Sequence, residues 1–191
     1  MSDTLFLLGL EHQRIAKLLK VMEEQLEILE EGDNPDHGLL QSMLAYLSGY
    51  PDQCHHPKED LLFRKLIRRN PEAAGGLNNL MEEHKELERL TEHLAGFVRK
   101  MPEQPGASLD PLKSTMRHYI DYYYNHMSME EKHFFPTALQ LLSPNDWAEI
   151  DFSVFDQIDP IFDGAAEERF SKLHDEITRL SEQREEQRAT R

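Results

Sequence analysis

Thr4 to Glu30 reads TLFLLGLEHQRIAKLLKVMEEQLEILE. Within it Leu5, Leu8, His12, Ile15, Leu19, Met22, Leu26 and Leu29 recur at alternating steps of three and four, the buried stripe of an amphipathic helix. The single polar member of that stripe is His12. Leu77, Leu80, His84, Leu87, Thr91, Leu94, Val98 and Met101 repeat the arrangement, with His84 standing where an apolar residue belongs. Leu112, Met116, Tyr119, Tyr123, His126, Glu130, His133 and Thr137 form a further seam. Between the first two lies Cys54-His55-His56-Pro57-Lys58-Glu59-Asp60, which runs into Leu62 and Leu66. A buried carboxylate without a partner is costly or stays protonated, so histidines and glutamates on four facing seams demand a shared cation.

Helix breakers separate these stretches: Gly32-Asp33-Asn34-Pro35, Asn70-Pro71 through Gly75-Gly76, and Pro102 through Pro111. Connections this short make consecutive helices antiparallel neighbours. The expected fold is therefore all-α, an up-down-up-down four-helix bundle over residues 1–142 with a short helical C-terminal extension over 143–191. No useful stretch alternates with period two, so no sheet is expected. Ser143-Pro144-Asn145-Asp146 combines an N-cap serine with proline at the first helical position, and it opens a short helix through Trp147. Residues 152–164 are apolar without clear period and are expected across the outside or end of the bundle. Ala166, Phe170, Leu173, Ile177 and Leu180 share one face of a last helix. After Ser181 the only apolar residue is an alanine, and fraying is expected there.

A net charge of -15, from 21 basic against 36 acidic residues, argues against nucleic acid or an anionic membrane surface as the main partner. A protein partner or a homodimer is compatible with it. Glu23-Glu24, Glu30-Glu31 and Glu82-Glu83 fall largely off the seams and read as solvated surface. Cys54 is the only cysteine, so an intrachain disulfide is excluded and a reducing compartment is implied. The N-terminal apolar run is interrupted by Glu11 and His12, too soon for a signal peptide or a membrane helix. A soluble cytoplasmic protein is the expectation.

Residues four apart lie one above the other on a helix, so His126 with Glu130 reaches one metal or two adjacent ones. His55 with Glu59 repeats the pair. His56 with Asp60 is the equally spaced alternative, and it runs equally well into Phe63 and Ile67. Pro57 removes a helical hydrogen bond, which predicts a kink or bulge able to turn either histidine inward. The inward set is His12, His55, Glu59, His84, His126 and Glu130. Six such donors exceed one tetrahedral ion but suit two cations, with the glutamates bridging and water, hydroxide or oxo completing each shell. Nitrogen and oxygen donors without thiolate suit iron or manganese better than structural zinc. Tyr123, one turn before His126, reads as core packing, with a hydrogen bond to a bound ligand as the alternative. His133 reads as a partly exposed helix residue and Cys54 as inert packing. His37, His93, His118 and His174 have no recruiting pattern.

These motifs carry a resemblance. Leu10-Glu11-His12, His55-His56-Pro57-Lys58-Glu59-Asp60 with Leu62-Phe63, Glu83-His84, and His126-Met127-Ser128-Met129-Glu130 ending in Phe135-Pro136 resemble the bacterial hemerythrin-like proteins of the HHE cation-binding type. The resemblance covers about residues 4 to 142. It implies a four-helix bundle around a non-heme di-iron centre that binds, senses or reacts with oxygen or nitric oxide, or handles iron. The implied cofactor is two iron ions, with manganese or zinc as alternatives. Oxygen carriers of this kind place a second histidine one turn after the third helix's ligand, where this chain has Glu88. That departure implies an extra open position on one metal, or Glu88 itself as a ligand, and it points away from simple carriage. Binding or sensing a diatomic gas is the leading reading. A redox or iron-handling enzyme, reducing oxygen, peroxide or nitric oxide or repairing iron-sulfur proteins, is the second, and a purely structural metal site the last.

Overall fold

A computed structural model describes residues 2–77, 80–101, 108–155 and 164–189, and it is helical, with no strand among the described residues. The elements are α1 (Asp3–Glu30), α2 (His37–Leu47), a π-helical turn (Pro51–His55), α3 (His56–Arg69), a 3-10 segment (Pro71–Gly76), α4 (Leu80–Lys100), α5 (Asp110–Met129), a second π-helical turn (Glu130–Phe134), α6 (Phe135–Leu141), α7 (Pro144–Phe155) and α8 (Gly164–Ala189). No helix among the described residues is long and apolar enough to cross a membrane.

The chain's punctuation sets these bounds. Gly32 adopts φ 90°, a conformation that glycine takes without strain. From there its N–H reaches Leu29 O, and the Asp33 N–H reaches Ile28 O, which closes α1 in a Schellman arrangement. Asp36 caps α2 by accepting from the Leu39 N–H at 2.8 Å. Ser143 and Asp146 bond reciprocally at the start of α7, with Ser143 Oγ donating to Asp146 Oδ2 at 2.6 Å and Asp146 N donating back to Ser143 Oγ. That helix runs on to Phe155, well beyond the Trp147 expected from sequence. Residues 156–163 of the apolar 152–164 segment lie outside the described residues. Helix α8 is drawn to Ala189, past the Ser181 after which fraying is expected, and the Glu, Gln and Arg residues there are strong helix formers.

α1, α2, α4 and α5 pack against one another, and α3 meets α6 and α7. Two apolar clusters result. One joins the C-terminal half of α1 to α2, α4, α5 and α8; the other joins Leu5 and Leu8 to Leu62, Leu66, Leu80, Phe134 and Ile150. Along every seam the histidines fall between the two: His12 between Leu8 and Ile15, His84 between Leu80 and Leu87. The site is a polar layer inserted across the core.

Both π-helical turns precede a proline by the same offset. The His56 N–H reaches back five residues to Pro51 O, and the Phe135 N–H reaches Glu130 O. Pro57 and Pro136 follow directly and lack the N–H that would continue the ordinary ladder. The bulge expected at Pro57 is present. The second was not expected, and the extra residue shifts the later part of the fourth seam, so that Phe134 is buried and His133 exposed.

Helix α8 lies along α1 and α2, and Phe170 packs edge-on to Tyr46 and Tyr50 at 5.8 and 5.7 Å. Gly49 makes room for it, since a Cβ there would stand 2.6 Å from Phe170 Cζ. Gly49→Ala should therefore destabilise the protein by about 1–3 kcal/mol through overpacking, read as a lower melting temperature. An unchanged melting curve would show that α8 is not held by this contact.

Candidate metal centre

Four helical arms deliver seven donors to one buried layer. His12, His55, His56, Glu59, His84, His126 and Glu130 are all buried, both glutamates fully. Glu59 faces two groups of imidazoles: Oε1 lies 3.3 Å from His12 Nε2 and 3.4 Å from His55 Nε2, while Oε2 lies 3.4 Å from His84 Nε2. Glu130 does the same from the opposite side. Its Oε2 is 3.3 Å from His12 Nε2, and its Oε1 is 3.2 Å from His126 Nε2 and 3.6 Å from His84 Nε2. These distances lack hydrogen-bond geometry. The Nε2 atoms of His12, His56, His84 and His126 and both oxygens of each glutamate are buried without a hydrogen-bond partner. Such a concentration of unsatisfied groups is costly in an apolar core, and a cation removes the cost.

The donors divide into two sets whose ligand atoms lie within 4.8 Å of one another: His12, His55 and Glu59, and His56, Glu59, His84 and His126. Glu59 belongs to both. His55 and His56 are therefore not alternatives. Adjacent helical residues point about 100° apart, so His55 falls in one set and His56 in the other. His56 stacks on His84 with ring centroids 3.9 Å apart.

Behind each imidazole stands a carboxylate. Nδ1 of His12 donates to Glu131 at 3.0 Å, His55 to Glu11 at 2.8 Å, His56 to Asp52 at 3.1 Å, His84 to Asp60 at 3.2 Å and His126 to Glu83 at 2.9 Å. In the neutral ring this sets the tautomer with the Nε2 lone pair turned inward, the arrangement of metal-binding histidines. Asp60 is thus behind the layer rather than in it. Glu83, expected to be plain surface, holds His126.

The electrostatics follow from burial without a cation. Burial would lower the His12 and His84 imidazoles, but the Glu59 and Glu130 carboxylates, with Asp60 for His84, push both up to about 11. Burial, together with the neighbouring imidazoles, drives His56 well below its ordinary value. Against the upward pull of burial, the surrounding histidines hold Glu59 and Glu130 below the usual carboxylate range.

A family model described as the hemerythrin HHE cation binding domain matches residues 3–138. The chain belongs to this family. No curated protein and no solved structure gives a significant match. The match takes in every donor of the layer and stops before α7 and α8.

Within this hemerythrin-like domain the expectation for Glu88 is corrected. Glu88 is exposed on α4, and its charge, after burial itself, helps push the Asp52 carboxyl up to about 6. The third imidazole on that side comes from His56, so the layer has no gap beside α4. Tyr123 is 1 % exposed and its hydroxyl has no hydrogen-bond partner. Burial raises its phenol well above the ordinary value, with the Glu59 and Glu130 charges adding to the effect. Cys54 is buried in the apolar core, outside both donor sets. Sequence reasoning missed the outer carboxylates. Their signal was adjacency, since Glu11, Glu83, Glu131 and Asp60 each sit next to a residue of the layer and serve a histidine of another arm.

Proposed function

We propose that this chain carries two iron ions at the centre of an up-down-up-down four-helix bundle and binds or senses oxygen or nitric oxide in the cytoplasm. The observation that carries the reading is the disposition of Glu59 and Glu130, each turning one oxygen toward each of two imidazole groups. Two carboxylates so placed suit a pair of hard or borderline cations, and the absence of thiolate favours iron or manganese. The residues would hold the ions unequally, with His12 and His55 on one side and His56, His84 and His126 on the other. The two-imidazole side has the smaller protein donor set, so an exogenous ligand belongs there. A reduced iron pair supplies the electrons that binding a diatomic molecule requires. The protein's own part is to orient five imidazoles through their Nδ1 carboxylates and to exclude water by burial.

Anaerobic addition of two equivalents of iron(II), followed by oxygen or nitric oxide, should develop visible charge-transfer absorption in stoichiometric amount. A protein that fills only with zinc and stays colourless with both gases refutes the reading. Continuous gas consumption with a reductant would instead mark an enzyme.

The unpaired Tyr123 hydroxyl beside His126 is retained at a cost, which is recovered if it donates to a water or hydroxide held between the metals. Tyr123→Phe should leave metal content and melting temperature equal or slightly improved while shifting the absorption of the ligated form. An unshifted spectrum would leave Tyr123 as packing alone.

A further inference from the structure

The five outer carboxylates are not equivalent. Glu131, Asp52, Glu83 and Asp60 have side chains 55, 33, 28 and 20 % exposed, so water screens their charges. Glu11 is 1 % exposed. It is also the only one of the five with a buried ammonium against it among the described residues: Lys58 Nζ donates to Glu11 Oε1 at 2.5 Å and is itself 4 % exposed. Glu11 Oε2 meanwhile accepts from His55 Nδ1 at 2.8 Å. Lys58, Glu11 and His55 thus form one line of charge running from the core to the two-imidazole side of the metal layer.

Burying a lysine and a glutamate together is rarely the most stable use of a core, since an apolar pair of similar volume often does as well or better. The location of the line gives it another use. His55 is one of only two imidazoles on its side, so whatever alters its donor strength alters a large part of that position's protein ligation. An unscreened buried carboxylate would push charge through the imidazole onto the metal, whereas a carboxylate cancelled by an ammonium keeps the orienting hydrogen bond without the push. On the three-imidazole side Asp60 is paired with Arg64 at 3.3 Å, but Arg64 is exposed and water screens both charges.

We propose that Lys58 and Glu11 are positioning residues that set the electron demand of the two-imidazole metal position: Glu11 orients His55, and Lys58 cancels the charge that this orientation would otherwise impose. The consequence is an electronically unequal pair of metals, with the more electron-poor one on the side where an exogenous ligand has room. This inference rests on the two-iron reading above.

The test is the midpoint potential and azide affinity of the full-length, iron-loaded protein. Lys58→Met leaves the carboxylate uncompensated, and both the potential and the azide affinity should fall. Glu11→Gln keeps an acceptor for His55 while removing the carboxylate's negative charge, and both should rise. An affinity change of about tenfold in each direction is the expected scale for a buried unit charge at this remove. The double variant Glu11→Gln/Lys58→Met should return close to the parent. A pair that merely clamps α1 to α3 predicts something else, namely single variants that shift in the same sense or only lower the melting temperature. That result, with two irons retained, overturns the proposal. Should Lys58→Met fail to hold iron, Glu11→Gln against the double variant still decides, because the two differ only in the charge of Lys58 and the former must have the higher potential. Failure of the parent protein to take up two metals would instead remove the two-iron reading itself.

Discussion

Metal-free protein should melt far below the loaded form, and the gap should widen as pH rises. At free metal a thousandfold above its dissociation constant, each site adds about 4 kcal/mol, or about 8 to 16 °C for a chain of this size. The pH dependence has a definite sign. In metal-free protein the His12 and His84 imidazoles are raised to about 11, so their contribution is fully present below the unfolded value of 6.5 and declines as pH climbs toward 11. His56 is depressed, so it remains neutral when folded and costs stability only as pH falls below 6.5. Glu59 and Glu130, also depressed, contribute above the ordinary carboxylate range and lose that contribution in acid. The metal-free protein should thus be most stable near pH 6.5 and decline above it. Metal requires deprotonated imidazoles, so uptake near pH 8 should release about two protons, one each from His12 and His84. Thermal melts with and without iron or manganese across pH 6 to 9, alongside proton release into weak buffer, check this. Parallel curves and no released protons would show that the ions bind elsewhere.

The charges behind that expectation were visible in sequence wherever one helix period ran unbroken. His12 stands out because every neighbour on its seam is apolar, and His84 because its seam is apolar but for Thr91; all those neighbours except Met101 are buried. His126 and Glu130 stand out as an imidazole and a carboxylate four residues apart on one seam. The reading slipped where the backbone left the ordinary helix. A π-helical turn adds one residue without a compositional mark, so the seam after Glu130 passes to Phe134 and Phe135 rather than to His133. The turn at Pro51–His55 was half legible, because Pro57 announced a bulge but not its consequence. The consequence is that both His55 and His56 enter the layer.

Glu88 was misread for a related reason. Comparing helix with helix by position leaves an empty place on α4, but the layer is filled in space, and the missing imidazole arrives from α3 on His56. The outer carboxylates lie beyond periodicity altogether. Glu11 and Glu83 are adjacent to histidines they do not touch through Nδ1 and instead hold His55 and His126 across the bundle. Only the packing of arm against arm, which a one-dimensional pattern does not contain, makes those pairs.

The spatial division of donors makes the two classes of substitution separable. Glu59→Gln should cost both metals, because Glu59 alone appears in both donor sets and its two oxygens face His12 and His55 on one side and His84 on the other. The amide keeps the shape but loses the charge and one acceptor. Breaking a buried charge partnership costs about 3–5 kcal/mol, hence a loss of affinity of more than about a hundredfold. His56→Gln should act on one side only. It removes an imidazole from the set holding His84 and His126 and leaves His12, His55 and Glu59 in place, so iron content should fall from two equivalents toward one. His12→Gln should likewise lose one, from the opposite side. Metal analysis of the three variants after equal exposure to iron(II) distinguishes the cases. Two equivalents retained in His56→Gln would show that His56 serves by stacking on His84 rather than by ligation. Two retained in Glu59→Gln would overturn the shared-carboxylate geometry itself.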